Sequence, residues 1–391
     1  MKNRRMSKPV KKRWIPFIFG ILALLPLSTF AQINFSDTIS YEIVKEKMII
    51  AVKVNGLDTR FIYDSGGRPW IMKSEAERLG IVSSGYTTVS DLNNKNALQH
   101  SGDIKEIQLS KNFIKKNVIT VISGDYNYFK GLGVAGLLNN EYFSDVAVTI
   151  LPREKKMVLS PFKPAWVNRA DGIPVTVLPN YGFMLPLQME NRTIVALFDT
   201  GMSGLLNISN QQIKTIDTGL IAKTNSLYGI GGIGINGLPD NNTFYKVVIK
   251  KFKLGNKVFE QVGGTTQAMN SNIMGIDLLQ YGNVVLDIPR QKFYFYPFEQ
   301  KPSNLGGAAQ TWNVNIIGFK DHFEISGLWS SPASKIALGD RVININGTSL
   351  KDFPKDDYEI ERVMREIKGN KAYIIIEKNG KQVKMPIEKV K

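Results

Sequence analysis

Two tripeptides in this chain carry residue types suited to acid–base chemistry: Asp64-Ser65-Gly66 and Asp199-Thr200-Gly201. Each follows an apolar stretch, Phe61-Ile62-Tyr63 in one case and Ala196-Leu197-Phe198 in the other. A single copy reads as an ordinary turn, in which Asp and Ser or Thr side chains bond nearby backbone amides. Two copies at equivalent points of a duplicated unit read differently, because pseudo-twofold packing would set the carboxylates face to face. Glycine after the hydroxyl residue lets the backbone turn sharply and approach the partner half. Two crowded carboxylates cannot both ionise cheaply, so one pKa rises, the other falls, and the pair shares a proton. Such a pair can hold a water, deprotonate it for attack on an amide carbonyl, and protonate the developing oxyanion and the leaving nitrogen.

Composition leaves few other routes. The chain has no cysteine and two histidines, His100 and His322. That excludes thiol nucleophiles, disulfides and thiolate metal sites, and a Ser-His-Asp triad would have to use one of those two imidazoles. Carboxylates are the groups left for hydrolysis, and no metal or cofactor enters this reading. Of the formal charge of +16, seven units fall in residues 1–31 and the rest is dispersed, with no basic run longer than a Lys pair. A nucleic-acid partner is not expected from such a pattern.

The elements that must position the two aspartates repeat. Met48 to Gly56 is a period-two strand ahead of Asp64, and Phe183 to Met189 is its counterpart ahead of Asp199. Ten residues after each Asp comes an apparent capping box, Ser74-x-x-Glu77 and Ser209-x-x-Gln212. A Gly- and polar-rich stretch suited to a hairpin follows, Tyr86 to His100 and Tyr228 to Gly237. Then an apolar pair precedes glycine, Val134-Ala135-Gly136 and Ile273-Met274-Gly275, with the glycines 72 and 76 residues after their aspartates. Both halves close with a strand, a Pro-Arg-x-Lys turn (Pro152 to Lys155, Pro289 to Lys292) and another strand. Five landmarks in one order indicate an internal duplication.

On these residues, the stretch from about Tyr41 to Pro297 resembles the aspartic peptidases, in the form where two retropepsin-like lobes are joined in one chain, as in the pepsin-like two-lobed enzymes. The resemblance implies a mainly β, bilobal fold with its catalytic unit complete in one chain. It gives the catalytic role to Asp64 and Asp199, and a supporting role to Ser65, Gly66, Thr200 and Gly201. It also implies that Gly136 and Gly275 underlie the catalytic turns and that one or both hairpins act as flaps. One run departs from the family: Gly67-Arg68-Pro69-Trp70 puts Arg68 four residues after its Asp, where Ser, Thr or Asp is usual. A cation there would lower both carboxylate pKa values, or else Arg68 simply faces solvent.

At 391 residues the chain has room for further units of ~100–200 residues. After Pro302 to Gly307, a linker by composition, Gly339-Asp340-Arg341-Val342-Ile343-Asn344-Ile345-Asn346-Gly347, preceded by Ser331-Pro332-Ala333, resembles a PDZ domain of the bacterial type. Ile360, Val363, Met364 and Ile367 mark an amphipathic helix, and Asn379-Gly380 a hairpin. Such domains bind peptide C-termini at a sheet edge, and Gly318-Phe319 is the candidate carboxylate loop. At the other end, seven basic residues up to Arg13, an apolar run from Trp14 to Leu27 and Ala31 fit a secretory signal peptide. That run is too short to cross a hydrocarbon core of ~30 Å, so no stable membrane span is expected.

The expected order is therefore a signal peptide over 1–31, an N-terminal lobe over 32–163, a C-terminal lobe over 164–301 and a PDZ-like α+β domain over 308–391. The expected function is an exported aspartic endopeptidase, periplasmic or secreted, acting on a peptide or protein substrate, with C-terminal peptide recognition by the PDZ domain. The alternative is a bilobal peptide-binding protein that keeps the fold without the reaction and works mainly through its PDZ domain.

Overall fold

A computed structural model describes residues 35–390, apart from residues 92, 94, 232–235, 237–238, 320, 330–334 and 356. The expected export segment lies outside the described residues, as do Ser331-Pro332-Ala333 and part of the second Gly-rich run. Among the described residues, no helix is long and apolar enough to cross a membrane.

The fold is mainly β and two-lobed. Alternation decides the strands: Phe183–Gln188 buries Phe183, Leu185 and Leu187 and turns the intervening residues outward, as a sheet with one covered face requires. Lys47–Val54 does the same toward its end, burying Val52 and Val54 between outward Ala51 and Lys53. The main apolar core is continuous across both halves, from Ile39 through Phe61 and Tyr63 to Phe198, Phe293 and Phe295.

What joins the halves is the pair of closing hairpins. Ala147–Leu151 and Lys156–Ser160 form one, Gly282–Asp287 and Lys292–Pro297 the other, and their inner strands pair antiparallel. The register runs Ala147↔Asp287, Val148↔Leu286, Thr149↔Val285 and Ile150↔Val284. With Pro152 set against Pro289, exchanging the halves turns each of these pairs into another of the same set. The junction is thus its own twofold image, which places the two lobes on opposite sides of a local axis. Asp37–Val44 ties this junction to the first lobe, pairing with Lys156–Ser160 through residues 37–40 and with Lys47–Val54 through residues 41–44.

The C-terminal region has its own core, built on Trp312, Phe323, Ile345, Ile374 and Ile376 with Ile360, Val363, Met364 and Ile367. The helix expected there is Asp357–Glu366, and Asn379-Gly380 closes the expected hairpin with both residues at positive φ, 51° and 73°. The segment read as a linker differs: Asn304–Gly307 is a strand parallel to Lys257–Gln267 of the second lobe. Its glycines serve close approach, since a Cβ on Gly263 would stand 2.6 Å from the Gly307 carbonyl oxygen.

The C-terminal region is further bound to the second lobe by strand pairing. Ile221–Gly229 pairs with His322–Trp329 through Leu227↔Trp329, Tyr228↔Leu328 and Gly229↔Gly327. Only glycine fits at 229, where a Cβ would lie 2.1 Å from the Ser326 carbonyl oxygen. Gly318 and Phe319 are not in an open loop. They end the strand Val314–Phe319 and pair with Phe323 and His322, so the strand continues through the positions read as a loop.

A half-buried carboxylate pair as the candidate active site

Each aspartate sits where a central strand ends. Leu57–Tyr63 runs parallel to Gly136–Leu138, and the Asp64 N–H donates to the Leu138 carbonyl at 2.8 Å. Thr193–Phe198 runs parallel to Asn272–Met274, and the Asp199 N–H donates to the Met274 carbonyl at 2.9 Å. The chain then turns back on its own carboxylate: the Gly67 N–H donates to Asp64 Oδ1 at 2.7 Å and the Gly201 N–H to Asp199 Oδ1 at 2.8 Å.

The hydroxyl residues lock the turns to each other. The Ser65 N–H donates to Thr200 Oγ1 at 3.0 Å, and the Thr200 N–H donates to Ser65 Oγ at 3.1 Å. Ser65 Oγ donates in turn to the Phe198 carbonyl at 3.0 Å, and Thr200 Oγ1 to the Tyr63 carbonyl at 2.7 Å. Both side chains are fully buried, so each hydroxyl has to donate and accept inside the protein, and does. The glycines let the carboxylates meet. A Cβ on Gly66 would be 2.6 Å from Asp199 Cγ, and one on Gly201 would be 2.4 Å from Asp64 Cγ.

The electrostatics follow from this crowding. Burial, then the Asp64 charge and a side-chain hydrogen bond with Asp64, hold the Asp199 carboxyl well above the ordinary carboxylate range. The Gly201 N–H and the Lys47 ammonium pull the other way. Lys47 Nζ donates to the Gly201 carbonyl at 2.6 Å and lies 3.2 Å from Ser203 Oγ. The cation beside the pair therefore comes from Lys47, whereas Arg68 is exposed.

The structure brings together Asp64, Ser65, Gly66, Asp199, Thr200 and Gly201, and corrects the pairing of Gly136 with Gly275. Met274 and Leu138 occupy the same place in the two lobes, since each accepts the aspartate N–H. Gly275 therefore corresponds to Asn139, and Gly136 to Asn272. Gly136 makes room for the next strand, Trp70–Met72, because a Cβ there would stand 2.0 Å from the Trp70 carbonyl oxygen. Gly275 underlies its turn directly, with a Cβ position 2.3 Å from the Gly204 carbonyl oxygen and 2.6 Å from that of Met202.

The capping boxes do not form. Ser74 lies within the helix Lys73–Arg78 and its N–H donates to Asp125 Oδ1, while the Gln212 amide bonds Asn272 and Asn270.

Three asparagines escaped the sequence reading. Asn139 Nδ2 and Asn180 Nδ2 donate to the Gly67 carbonyl at 3.2 and 3.3 Å. Asn140, fully buried, donates to the Ser65 and Tyr181 carbonyls and accepts from the Tyr63 hydroxyl at 2.6 Å. Spacing alone comes within one residue of Asn139: Leu138 follows Asp64 by 74 residues and Met274 follows Asp199 by 75. Nothing in the sequence marks Lys47 or Asn180.

The two expected hairpins exist. Ser83–Ser90 pairs with Asn96–Gln108, with Tyr86 opposite His100, and Ile221–Gly229 pairs with Asn242–Leu254. They meet near their ends through Asn236, whose Nδ2 donates to the Val89 and Lys95 carbonyls at 2.9 and 2.7 Å and whose Oδ1 accepts from Gln99 Nε2 at 3.0 Å. Among the described residues, no group of three or more His, Asp or Glu is placed to hold a metal ion.

No family model matches the chain, and no curated protein matches it. Among solved structures, an aspartic proteinase from Irpex lacteus aligns over 69% of this chain and 100% of its own, at 10% identity and a TM-score of 0.44. Basic 7S globulin from soybean aligns over 67% of this chain and 94% of its own, at 10% identity and a TM-score of 0.38.

Proposed function

We propose that this chain is an exported aspartic-type endopeptidase in which Asp64 and Asp199 act as one proton-sharing pair, and in which residues 308–391 form a PDZ-like domain for peptide recognition. The observation that carries the reading is the reciprocal lock: two Asp-hydroxyl-Gly turns, one from each half, bonded hydroxyl to amide in both directions with their carboxyls in contact distance of each other's glycine. The high Asp199 affinity for its proton supports a pair holding one proton between two groups.

In the reaction, a water between the two carboxyls gives a proton to the ionised one and adds to the substrate carbonyl carbon. The protonated one gives its proton to the oxygen that gains charge. As the tetrahedral intermediate collapses, one of its two hydroxyls returns a proton to the pair while the C=O re-forms and the C–N bond breaks, and the amine leaves with a proton from the pair, so the pair ends with the one proton it began with. The fixed N–H donors of Gly67 and Gly201 keep each carboxyl oriented, so little reorganisation accompanies the step.

The test is incubation of the chain from Gln32 onward with a peptide library from acid to neutral pH, with and without a statine-containing inhibitor. Cleavage on the acid side, blocked by the inhibitor and absent in Asp199→Asn, is the expected result. Binding of peptides without cleavage at any pH would promote the non-catalytic reading.

A further inference from the structure

Lys47 follows a turn, Lys45-Glu46, in which both residues have positive φ, 50° and 59°. That conformation is uncommon for residues with a Cβ, and here the Val44↔Lys47 pair of the flanking strands closes it. The turn delivers the ammonium across to the other lobe, where it bonds the carbonyl of Gly201. The N–H of that same residue holds Asp199 Oδ1. The positive charge is thus attached to the residue that orients one carboxyl of the pair.

The opposite side lacks this charge. Ile49 pairs with Ile62 and Met184 with Leu197, which puts Gly182 in the position of Lys47. The second lobe's first turn still reaches the first lobe's aspartate turn, but through the neutral amide of Asn180 on the Gly67 carbonyl. A pair that is symmetric in its hydroxyl lock is asymmetric in its charge.

We propose that Lys47 is a positioning residue for the pair: it anchors the second turn through Gly201 and places one cation beside two carboxyls, lowering the pH at which they release their shared proton. The proposal rests on the peptidase reading for its kinetic consequence, and on geometry alone for the titration. The charged groups facing Lys47 are Asp199, Asp64, Glu46 of its own turn and Glu361 of the C-terminal helix. Burial lowers the Lys47 pKa, and these four anions oppose that.

The experiment uses the full mature chain with aspartate carboxyl carbons labelled, the pair assigned through Asp64→Asn and Asp199→Asn, and variants Lys47→Met, Lys47→Gln and Lys47→Arg. Gln keeps a donor for Gly201 but no charge, so it separates anchoring from electrostatics if the Met variant does not fold. The upper titration midpoint should rise by about one pH unit in Lys47→Met and Lys47→Gln, and stay at the parent value in Lys47→Arg. The alkaline limb of peptide cleavage should move with it. An unchanged midpoint in folded Lys47→Gln overturns the proposal even if the parent cleaves peptides. A shifted midpoint in a chain that cleaves nothing upholds the role of Lys47 and removes the peptidase reading.

Discussion

The two aspartate turns share one design and are braced by different means. In the second lobe the brace is backbone: the Ile276 N–H donates to the Met202 carbonyl at 2.9 Å, and Gly275 permits the close approach. In the first lobe the chain stands off at the same point, and the Asn139 amide spans the gap to the Gly67 carbonyl. Asn140 and Asn180 add further side-chain donors on that side, while the second turn receives a lysine. Duplication therefore preserved what both carboxyls need in common, the hydroxyl lock and the glycine after it, and let the supports diverge. A carbonyl in a buried turn must have a donor, but whether that donor is main chain, amide or ammonium is free to vary.

The largest effect that tests this comparison is on activity. Asp64→Asn and Asp199→Asn should each lower the rate of peptide cleavage by about four orders of magnitude, and the double variant should lose little more, because groups acting as a unit are not additive. A variant that keeps substantial cleavage would show that the turns are not functionally equivalent.

Next comes the glycine that differs between lobes. Gly275→Ala drives a Cβ into the Gly204 and Met202 carbonyls and should cost about 3 kcal/mol or more in denaturant unfolding. Asn139→Gly imports the second lobe's residue into the first, at an extended backbone with φ −116°, and should cost about 1 kcal/mol for the lost amide bonds. Equal costs would break the argument that the two supports are distinct solutions.

The hydroxyl lock should behave symmetrically. Ser65→Ala and Thr200→Ala each leave a buried amide N–H and a carbonyl without partners, for about 2 kcal/mol apiece. The double variant, measured in the same unfolding assay, should cost less than their sum, since the two turns are in contact and relax together once both hydroxyls are gone.

The smallest effect is on stability against pH. The folded chain keeps a proton on Asp199 that the unfolded chain loses at about pH 4. That contribution is fully present below the unfolded pKa and is lost as pH rises through the folded value. Asp199→Asn removes the dependence, so its melting temperature should exceed that of the parent by roughly 3 °C near neutral pH and by less in acid.

The paired aspartates, their hydroxyl partners and the following glycines were legible in the sequence because strand, Asp, hydroxyl and glycine are adjacent in the chain, and local order is what a sequence displays. The duplication was legible for the same reason, as five local patterns in one order. The match of Gly136 to Gly275 failed because a short apolar-apolar-Gly pattern occurs by composition, while the true equivalence of Leu138 and Met274 is defined by which carbonyl meets the aspartate N–H. Gly306 and Gly307 suggested a loose linker, yet lacking side chains also lets strands approach closely, and only the neighbouring strand reveals which use applies. Lys47, Asn180 and Asn236 reach partners between 113 and 156 residues away, across distances no spacing rule encodes. The sequence alone determined that two carboxylates end two equivalent strands. The tertiary structure decided that they share one site, locked through Ser65 and Thr200 and with the Lys47 ammonium beside it, because such long-range hydrogen bonds exist only once the lobes have packed.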